Sequence, residues 1–176
     1  MKVAVYFFLL LYAASASAQE THSHHSVSKP VTVEFKNADG QSVGTAILSP
    51  APKGVAIKLD IKALPPGEHF IHIHQAAKCE PPDFKSAGPH FDPAGTGHSE
   101  HAHNSTPAGD IPNFSLIVAD DGTAHATVVA PDVTLGADDH SVFSNGGTSI
   151  VIHAVAGGAG SGAPARIACG VVTRPE

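Results

Sequence analysis

The chain is poor in the residues on which nucleic-acid-binding, helical and cysteine-rich zinc proteins depend. It has 10 lysines and arginines against 16 aspartates and glutamates, and the net charge of −6 argues against a nucleic-acid partner. No stretch keeps a helical period of apolar residues for three turns, so the pattern does not favour a helical fold. The two cysteines, Cys79 and Cys169, lack the C-x-x-C pairing typical of structural zinc sites.

An apolar run occurs at the start of the chain. Lys2 precedes this run, which extends to Tyr12 and is followed by Ala16-Ser17-Ala18. The order predicts a signal peptide over residues 1–18, cleaved at an A-x-A site, with a buried first helix as the alternative. The run is too short to span a bilayer as a helix, so no membrane association is expected after its removal. We expect an exported protein, periplasmic or extracellular, with one domain.

Export bears on the two cysteines, Cys79 and Cys169. In an oxidising compartment a pair of cysteines is more often a disulfide than two thiols, and the zinc interpretation is weaker because the two are isolated. The bridge would close a loop of about ninety residues, worth on the order of 4 kcal/mol in the chain-entropy model.

Beyond the predicted signal peptide, residues 19–29 form a polar segment that we expect to be a disordered tail. Its histidines, His22, His24 and His25, either capture metal loosely or are merely solvated. From residue 30 to residue 176 we expect one domain of short strands, because apolar runs alternate with Gly, Pro, Asn and Asp. Such strands favour an antiparallel sandwich or barrel. The predicted strands are residues 31–36, 42–48, 54–61, 70–75, 114–119, 124–129, 149–154 and 166–172.

Two long segments interrupt the strand pattern. Residues 154–165 are almost all alanine and glycine and carry no charge. Residues 76–113 are instead rich in groups that bind metals, so we interpret them as functional. These groups are Cys79, His90, His98, His101, His103 and Asp110.

The triplet His72-Ile73-His74 indicates a metal site on a strand. Residues i and i+2 of a strand share a face, so His72 and His74 point the same way, while Ile73 points to the core. Two neighbouring imidazoles suit copper or zinc. His153 ends another strand-like run and is a further candidate ligand.

Six segments occur in one order along the chain and together resemble the copper/zinc superoxide dismutase family, over nearly all of residues 31–173. The resemblance implies an all-β fold, an eight-stranded antiparallel Greek-key β-barrel with long metal-binding loops. The six segments are His72-Ile73-His74, Ser86-Ala87-Gly88-Pro89-His90-Phe91-Asp92-Pro93, Gly97-His98, Gly109-Asp110-Ile111-Pro112, Ile150-Val151-Ile152-His153 and Ala165-Arg166-Ile167-Ala168-Cys169-Gly170.

The resemblance implies a role for each matching side chain. His90 would bridge copper and zinc and carry a proton to the departing peroxide, and Arg166 would guide the superoxide anion to copper. Cys79 and Cys169 match the family's disulfide. Four imidazoles suit Cu(II), and the implied copper ligands are His72, His74, His90 and His153.

The zinc half of the implied site departs from the family. His90, His98 and Asp110 match zinc ligands, but Pro107 stands where the fourth ligand is expected and has no ligand atom. Either His101 or His103 takes its place, or zinc binds weakly, or the enzyme uses copper alone. Asp110 has a second interpretation, as a turn residue before Pro112.

The segment 154–165 also departs from the family, whose corresponding loop carries charges and an aspartate that hydrogen-bonds to ligands of both metals. Losing such a partner typically lowers metal affinity or activity about 10–100-fold. We therefore expect a copper-dependent superoxide dismutase, with superoxide as substrate and a homodimer as a possible assembly. The alternative is a non-enzymatic exported protein that stores or delivers copper on the same fold; a purely structural relative is a third interpretation.

Overall fold

The structure is a computed structural model that describes residues 1, 29–95, 106–112, 114–154 and 164–176. Several predicted features lie outside these residues. They are the signal peptide beyond Met1, the histidines of the tail, nearly all of the uncharged segment, and His98, His101 and His103. Within the described part of the chain, no helix is long and apolar enough to cross a membrane.

All eight predicted strands are present, and their ends differ from the predicted ones by at most three residues. The first and last strands have the predicted bounds. The strands are β1 (Val31–Lys36), β2 (Ser42–Pro50), β3 (Val55–Ile61), β4 (Gly67–His74), β5 (Leu116–Val118), β6 (Ala124–Ala130), β7 (Thr148–His153) and β8 (Arg166–Val172).

The strands form one antiparallel sheet in the order β5-β4-β7-β8-β1-β2-β3-β6. The outermost strands, β5 and β6, also contact each other, so the sheet nearly closes into a barrel. Strand β3 pairs with β6 and β4 pairs with β7, although other strands intervene in the sequence. These crossings confirm the predicted Greek-key barrel.

The core lies inside the barrel and follows the alternation of each strand. In β1 the buried residues are Val31, Val33 and Phe35, and the residues between them are exposed. Strand β7 is different, because all six of its residues are buried. Ile150 and Ile152 face the main core, while Val151 faces outward.

The outward face of β7 is buried because a loop following β4 covers it. Phe84 and Ala87 of this loop pack on Val151 and Cys169 in a second small apolar cluster. The disulfide between Cys79 and Cys169 ties the loop to β8, as predicted, and rules out the weaker zinc interpretation of these cysteines. The loop is therefore held over the strands that carry the candidate ligands.

Candidate metal centre

Four histidines from three parts of the chain meet at one end of the barrel. His72 and His74 lie on β4, and His153 is the last residue of β7, the strand that pairs with β4. His90 forms an isolated bridge with His74 and so reaches the same place from the covering loop. One ligand nitrogen from each imidazole lies within 4.8 Å of the others. The structure thus brings all four predicted copper ligands together.

Hydrogen bonds show which nitrogens of this histidine cluster remain for a metal. Nδ1 of His74 lies 2.8 Å from the carbonyl oxygen of Gly88, and Nδ1 of His153 lies 3.4 Å from that of Pro164. A carbonyl only accepts, so each Nδ1 carries the hydrogen and each Nε2 keeps its lone pair. The two Nε2 atoms face each other at 3.3 Å. Two lone pairs at this distance favour a cation beside them.

The Nδ1 atom of His72 also indicates a bound cation. This atom is buried and has no hydrogen-bond partner among the described residues. A buried polar atom without a partner is destabilising, and coordination to a metal is the usual remedy for an imidazole. The cluster therefore fits copper, for which several imidazole ligands are suitable.

Burial favours the uncharged form of His72, His74 and His153. It lowers the pKa of His72 to about 4 and that of His74 to about 3, and the neighbouring histidines lower both further. Burial also lowers the pKa of His153. Only a neutral imidazole binds a metal, so protons do not compete for these ligands near neutral pH.

The lowered pKa values predict how acid affects the metal-free protein. As pH falls below about 6.5, the unfolded chain takes up protons that folded His72 and His74 exclude, so the free energy of unfolding should decrease towards the folded pKa values. With allowance for partial exposure, we expect a loss on the order of 3 kcal/mol between pH 7 and pH 4. Urea unfolding at both pH values measures it. The variant His72→Gln/His74→Gln should lose this part of the dependence, and an unchanged dependence would contradict the assignment.

Arg166 lies beside the histidine cluster, as predicted. It begins β8, and its guanidinium donates to the carbonyl oxygens of Phe84 at 2.7 Å and Gly88 at 2.9 Å. The Gly88 oxygen also accepts from Nδ1 of His74. The carbonyl of Gly88 therefore orients both the guanidinium of Arg166 and the imidazole of His74. Burial lowers the pKa of Arg166, but an arginine remains charged at neutral pH.

Gly88 takes a backbone conformation that suits this shared contact. Its φ of 77° and ψ of −162° lie in a region that is essentially restricted to glycine. A Cβ atom there would also meet the side chain of Gln75 at 3.1 Å. Sequence reasoning used Gly88 only as part of a motif and missed this role, because the carbonyl direction depends on the folded loop.

The zinc half of the predicted site is represented by two donors among the described residues. Nδ1 of His90 lies 2.5 Å from a carboxylate oxygen of Asp110, which leaves Nε2 of His90 for the cluster. Pro107 accepts a hydrogen bond from the backbone of Asp110 through its carbonyl oxygen, in a turn, and has no side-chain donor. Pro107 therefore offers no side-chain ligand for zinc in the folded chain, as its position in the sequence indicated.

The three other histidines among the described residues lie outside the cluster. His125 is exposed and lies 3.3 Å from Asp60. His140 is exposed and contacts the carbonyl oxygen of Asp132. His69 is buried, and its ring lies between the carbonyl oxygens of His153 and Pro65.

Comparisons with known proteins agree with this geometry. The sequence profile of the family described as copper/zinc superoxide dismutase matches residues 32–172. Copper-zinc superoxide dismutase 2 of Aquifex aeolicus is 40% identical over 174 residues, which cover 93% of each chain.

Solved structures resemble the barrel as well. A double variant of a SOD-like protein from Bacillus subtilis, with a tyrosine and a proline replaced by histidine, has a TM-score of 0.68. It shares 30% identity and covers 81% of this chain and 96% of its own. The Cu/Zn superoxide dismutase of Brucella abortus has a TM-score of 0.61 and 30% identity, covering 81% of this chain and 99% of its own.

Proposed function

Since the chain belongs to the copper/zinc superoxide dismutase family, we infer that it is a superoxide dismutase whose own side chains complete a copper site. Superoxide is the substrate, and dioxygen and hydrogen peroxide are the products. The observation that carries this function is the convergence of four imidazoles, His72, His74, His90 and His153, within 4.8 Å. Copper, when bound, supplies the one-electron chemistry by alternating between Cu(II) and Cu(I).

We propose that these four histidines are the copper ligands. Nδ1 of His72 and Nε2 of the other three are the coordinating atoms, because each remaining nitrogen of His74, His90 and His153 already contacts an oxygen. The unpartnered Nδ1 of His72 supports its different assignment. Hydrogen bonds on the outer nitrogens fix the ring orientation before metal binds.

We propose that His90 moves one of the two protons that the reaction needs. The carboxylate of Asp110 holds Nδ1 of His90, so Nε2 is directed to the cluster. Nε2 would help to hold copper, and when it is free it would take up one proton and give it to the peroxide product, whose second proton would come from solvent. Asp110 is a positioning residue in this step, because it touches His90 and not the substrate.

We propose that Arg166 attracts and orients superoxide. The guanidinium is fixed by two carbonyls and lies next to His74 through their shared contact with Gly88. The segment between His153 and Arg166 has no charged residue, so it contributes no attraction. A fixed cation at the site concentrates an anionic substrate despite the net charge of −6.

The function is tested by measuring dismutation with purified, copper-loaded protein against an equal amount of free copper. We expect activity clearly above that of free copper, and it should disappear when a copper chelator strips the protein. Activity no higher than that of free copper would contradict the function. Rapid copper transfer to an acceptor without dismutation would instead identify a storage or delivery protein.

We propose that zinc binds through His90, His98 and Asp110, with His101 or His103 replacing the ligand missing at Pro107. The contact between Nδ1 of His90 and the carboxylate of Asp110 supports this, because a zinc ion would take the place of the hydrogen that these two groups share in the metal-free protein. Closed zinc sites take four ligands, so one of the two histidines is needed.

Metal analysis after refolding with copper and zinc tests this zinc site. We expect about one zinc per chain in the wild type and at least about tenfold weaker zinc binding in His101→Ala/His103→Ala, with copper retained. His125→Ala serves as the control for loss of an exposed histidine. A wild type that binds no zinc, together with a Pro107→His variant that does, would contradict the proposal that His101 or His103 replaces the missing ligand.

We propose that the protein is exported and that residues 1–18 are a signal peptide, residues 19–29 a tail and residues 30–176 the catalytic domain. The disulfide supports an oxidising compartment, periplasmic or extracellular. Mass spectrometry of the secreted protein should show an N-terminus at residue 19. We also propose a homodimer, which sedimentation of the metal-loaded protein would test.

A further inference from the structure

Three main-chain hydrogen bonds form a closed ring at the edge of β4. Ile73 donates its N–H to the carbonyl oxygen of Gly109 at 2.9 Å, Gly109 donates to Phe91 at 2.8 Å, and Phe91 donates back to Ile73 at 2.8 Å. Strand β5 pairs with β4 from Gly67 to His69, and at Ile73 the two loop residues take its place. Each of the three residues uses both its donor and its acceptor, and together they form the backbone ring.

Each residue of the backbone ring is a sequence neighbour of the candidate metal centre. Ile73 lies inside the histidine triplet of β4, Phe91 follows the histidine of the covering loop, and Gly109 precedes the aspartate that contacts this histidine. The adjoining residues are, in this order, His72 and His74, His90, and Asp110. The ring thus links the strand to both loop segments, and a shift of either segment would break one of its hydrogen bonds.

The main core holds the backbone ring in place. Ile73 and Phe91 are buried in this core, together with Ala108 and Ile111 on either side of Gly109. Both loop segments are therefore anchored by apolar side chains as well as by the ring. Buried main-chain hydrogen bonds are costly to break, because water does not replace the lost partner. None of this support comes from a metal ion.

Only glycine fits at position 109. A Cβ atom there would lie 2.1 Å from the carbonyl oxygen of Ile73 and 2.8 Å from the nitrogen of Phe91. Both are main-chain atoms of the backbone ring, so neither can turn aside as the end of a flexible side chain could. Glycine permits this close approach of one backbone to another, and a larger residue would push the ring apart.

We propose that Gly109 is a positioning residue, and that its backbone ring holds His90 at the copper site without zinc. This inference rests on the proposed function, because it treats His90 as a copper ligand. In the zinc-free protein the carboxylate of Asp110 orients His90 through its contact with Nδ1, and the ring keeps the two segments at the required separation. Since Pro107 offers no side-chain ligand, this support makes the copper half of the site independent of the zinc half.

Copper binding by the zinc-free, full-length protein tests the proposal. Wild type loaded with copper alone should bind Cu(II) within about threefold of the affinity that it has in the presence of zinc. In Gly109→Ala we expect the zinc-free affinity, measured by competition with a chelator, to fall about 10–100-fold, as for other lost supports of a metal ligand. The Cu(II) electron paramagnetic resonance spectrum should change with it, because His90 is displaced.

A double variant tests whether the effect passes through His90. In the His90→Ala background, the further change Gly109→Ala should lower Cu(II) affinity by less than about threefold, because the ligand that the backbone ring positions is already gone. A purely structural role of Gly109 would instead lower the affinity equally in both backgrounds, and that result would overturn the proposal.

Gly54→Ala is the matched control for a crowded glycine. A Cβ atom at Gly54, in the turn between β2 and β3, would lie 2.0 Å from the carbonyl oxygen of Ala130, so this variant should also lose stability. In the sheet order three strands separate β3 from β7. The thermal midpoint should therefore fall, while copper affinity and the resonance spectrum stay unchanged.

Hydrogen exchange in the metal-free wild type tests the backbone ring even where Gly109→Ala fails to fold. The amides of Ile73, Phe91 and Gly109 should exchange at least about 100-fold more slowly than in an unstructured peptide. Rapid exchange of these amides would overturn the proposal. A copper spectrum that reaches its final form only after zinc is added, or unchanged copper binding in a folded Gly109→Ala variant, would also overturn it.

These measurements need no dismutation, so the two proposals can fail separately. A wild type that binds copper without zinc but does not dismutate superoxide would contradict the proposed function alone. A wild type that dismutates superoxide only when zinc is present, with weak copper binding in its absence, would contradict the role of the backbone ring alone. A wild type without copper binding under either condition would contradict both.

Discussion

Replacing His153 by alanine should abolish dismutation by the copper-loaded protein, with a loss of more than about 100-fold. Partners that merely hydrogen-bond to a metal ligand already contribute about 10–100-fold, so removal of a ligand itself should exceed that range. His153 is also the ligand whose Nε2 faces Nε2 of His74 at 3.3 Å. Its loss opens one side of the cluster, and copper content should fall in parallel with activity.

The matched control for this change is His125→Ala. His125 is exposed on β6, and its pairing with Asp60 is also exposed, so its loss should change stability and activity little. Dismutation and copper content are measured for both variants after identical metal loading. A His153→Ala variant that keeps one copper and wild-type activity would contradict the ligand assignment.

Removing the disulfide should cause the largest loss of stability. In Cys79→Ser/Cys169→Ala we expect the free energy of unfolding of the metal-free protein to decrease by about 4 kcal/mol, because the bridge closes a loop between residues 90 positions apart. Unfolding in guanidinium chloride measures the change. The wild type treated with a reducing agent should reproduce it, and the same agent should not affect the variant.

The same change should also lower activity where the protein remains folded. The bridge ties down the loop whose carbonyls, from Phe84 and Gly88, hold Arg166 in place. A freed loop would let the guanidinium turn towards solvent, and the salt dependence of the rate should weaken as the attraction is lost. An unfolding midpoint and a salt dependence equal to those of the wild type would show that the packing of Phe84 holds the loop and Arg166 in place without the disulfide.

Local pattern explains why the strands could be predicted. In β1 the alternation of Val31, Val33 and Phe35 with exposed residues reports directly on one buried face, and no distant contact is needed to read it. The start of β4 was predicted three residues late, because Gly67 and the exposed Glu68 lack an apolar signal. Their strand conformation depends on pairing with β5, which is distant in the sequence.

The four histidines that we propose as copper ligands could also be singled out from the sequence, because each of them stands in a motif whose order along the chain is specific. Which nitrogen of each ring is free was decided only by the fold. The carbonyl of Gly88 reaches His74 and Arg166 through a backbone conformation that the loop imposes.

His69 shows the same division between sequence and fold. By sequence it is one more histidine on a strand, but its partner His153 lies 84 residues away. Motifs record which residue types are present, whereas hydrogen bonds between distant segments depend on the register and packing of the whole barrel. The sequence alone therefore determined the strands and singled out the two disulfide cysteines and the four histidines of the cluster, and the tertiary structure decided how these side chains are oriented and which groups they contact.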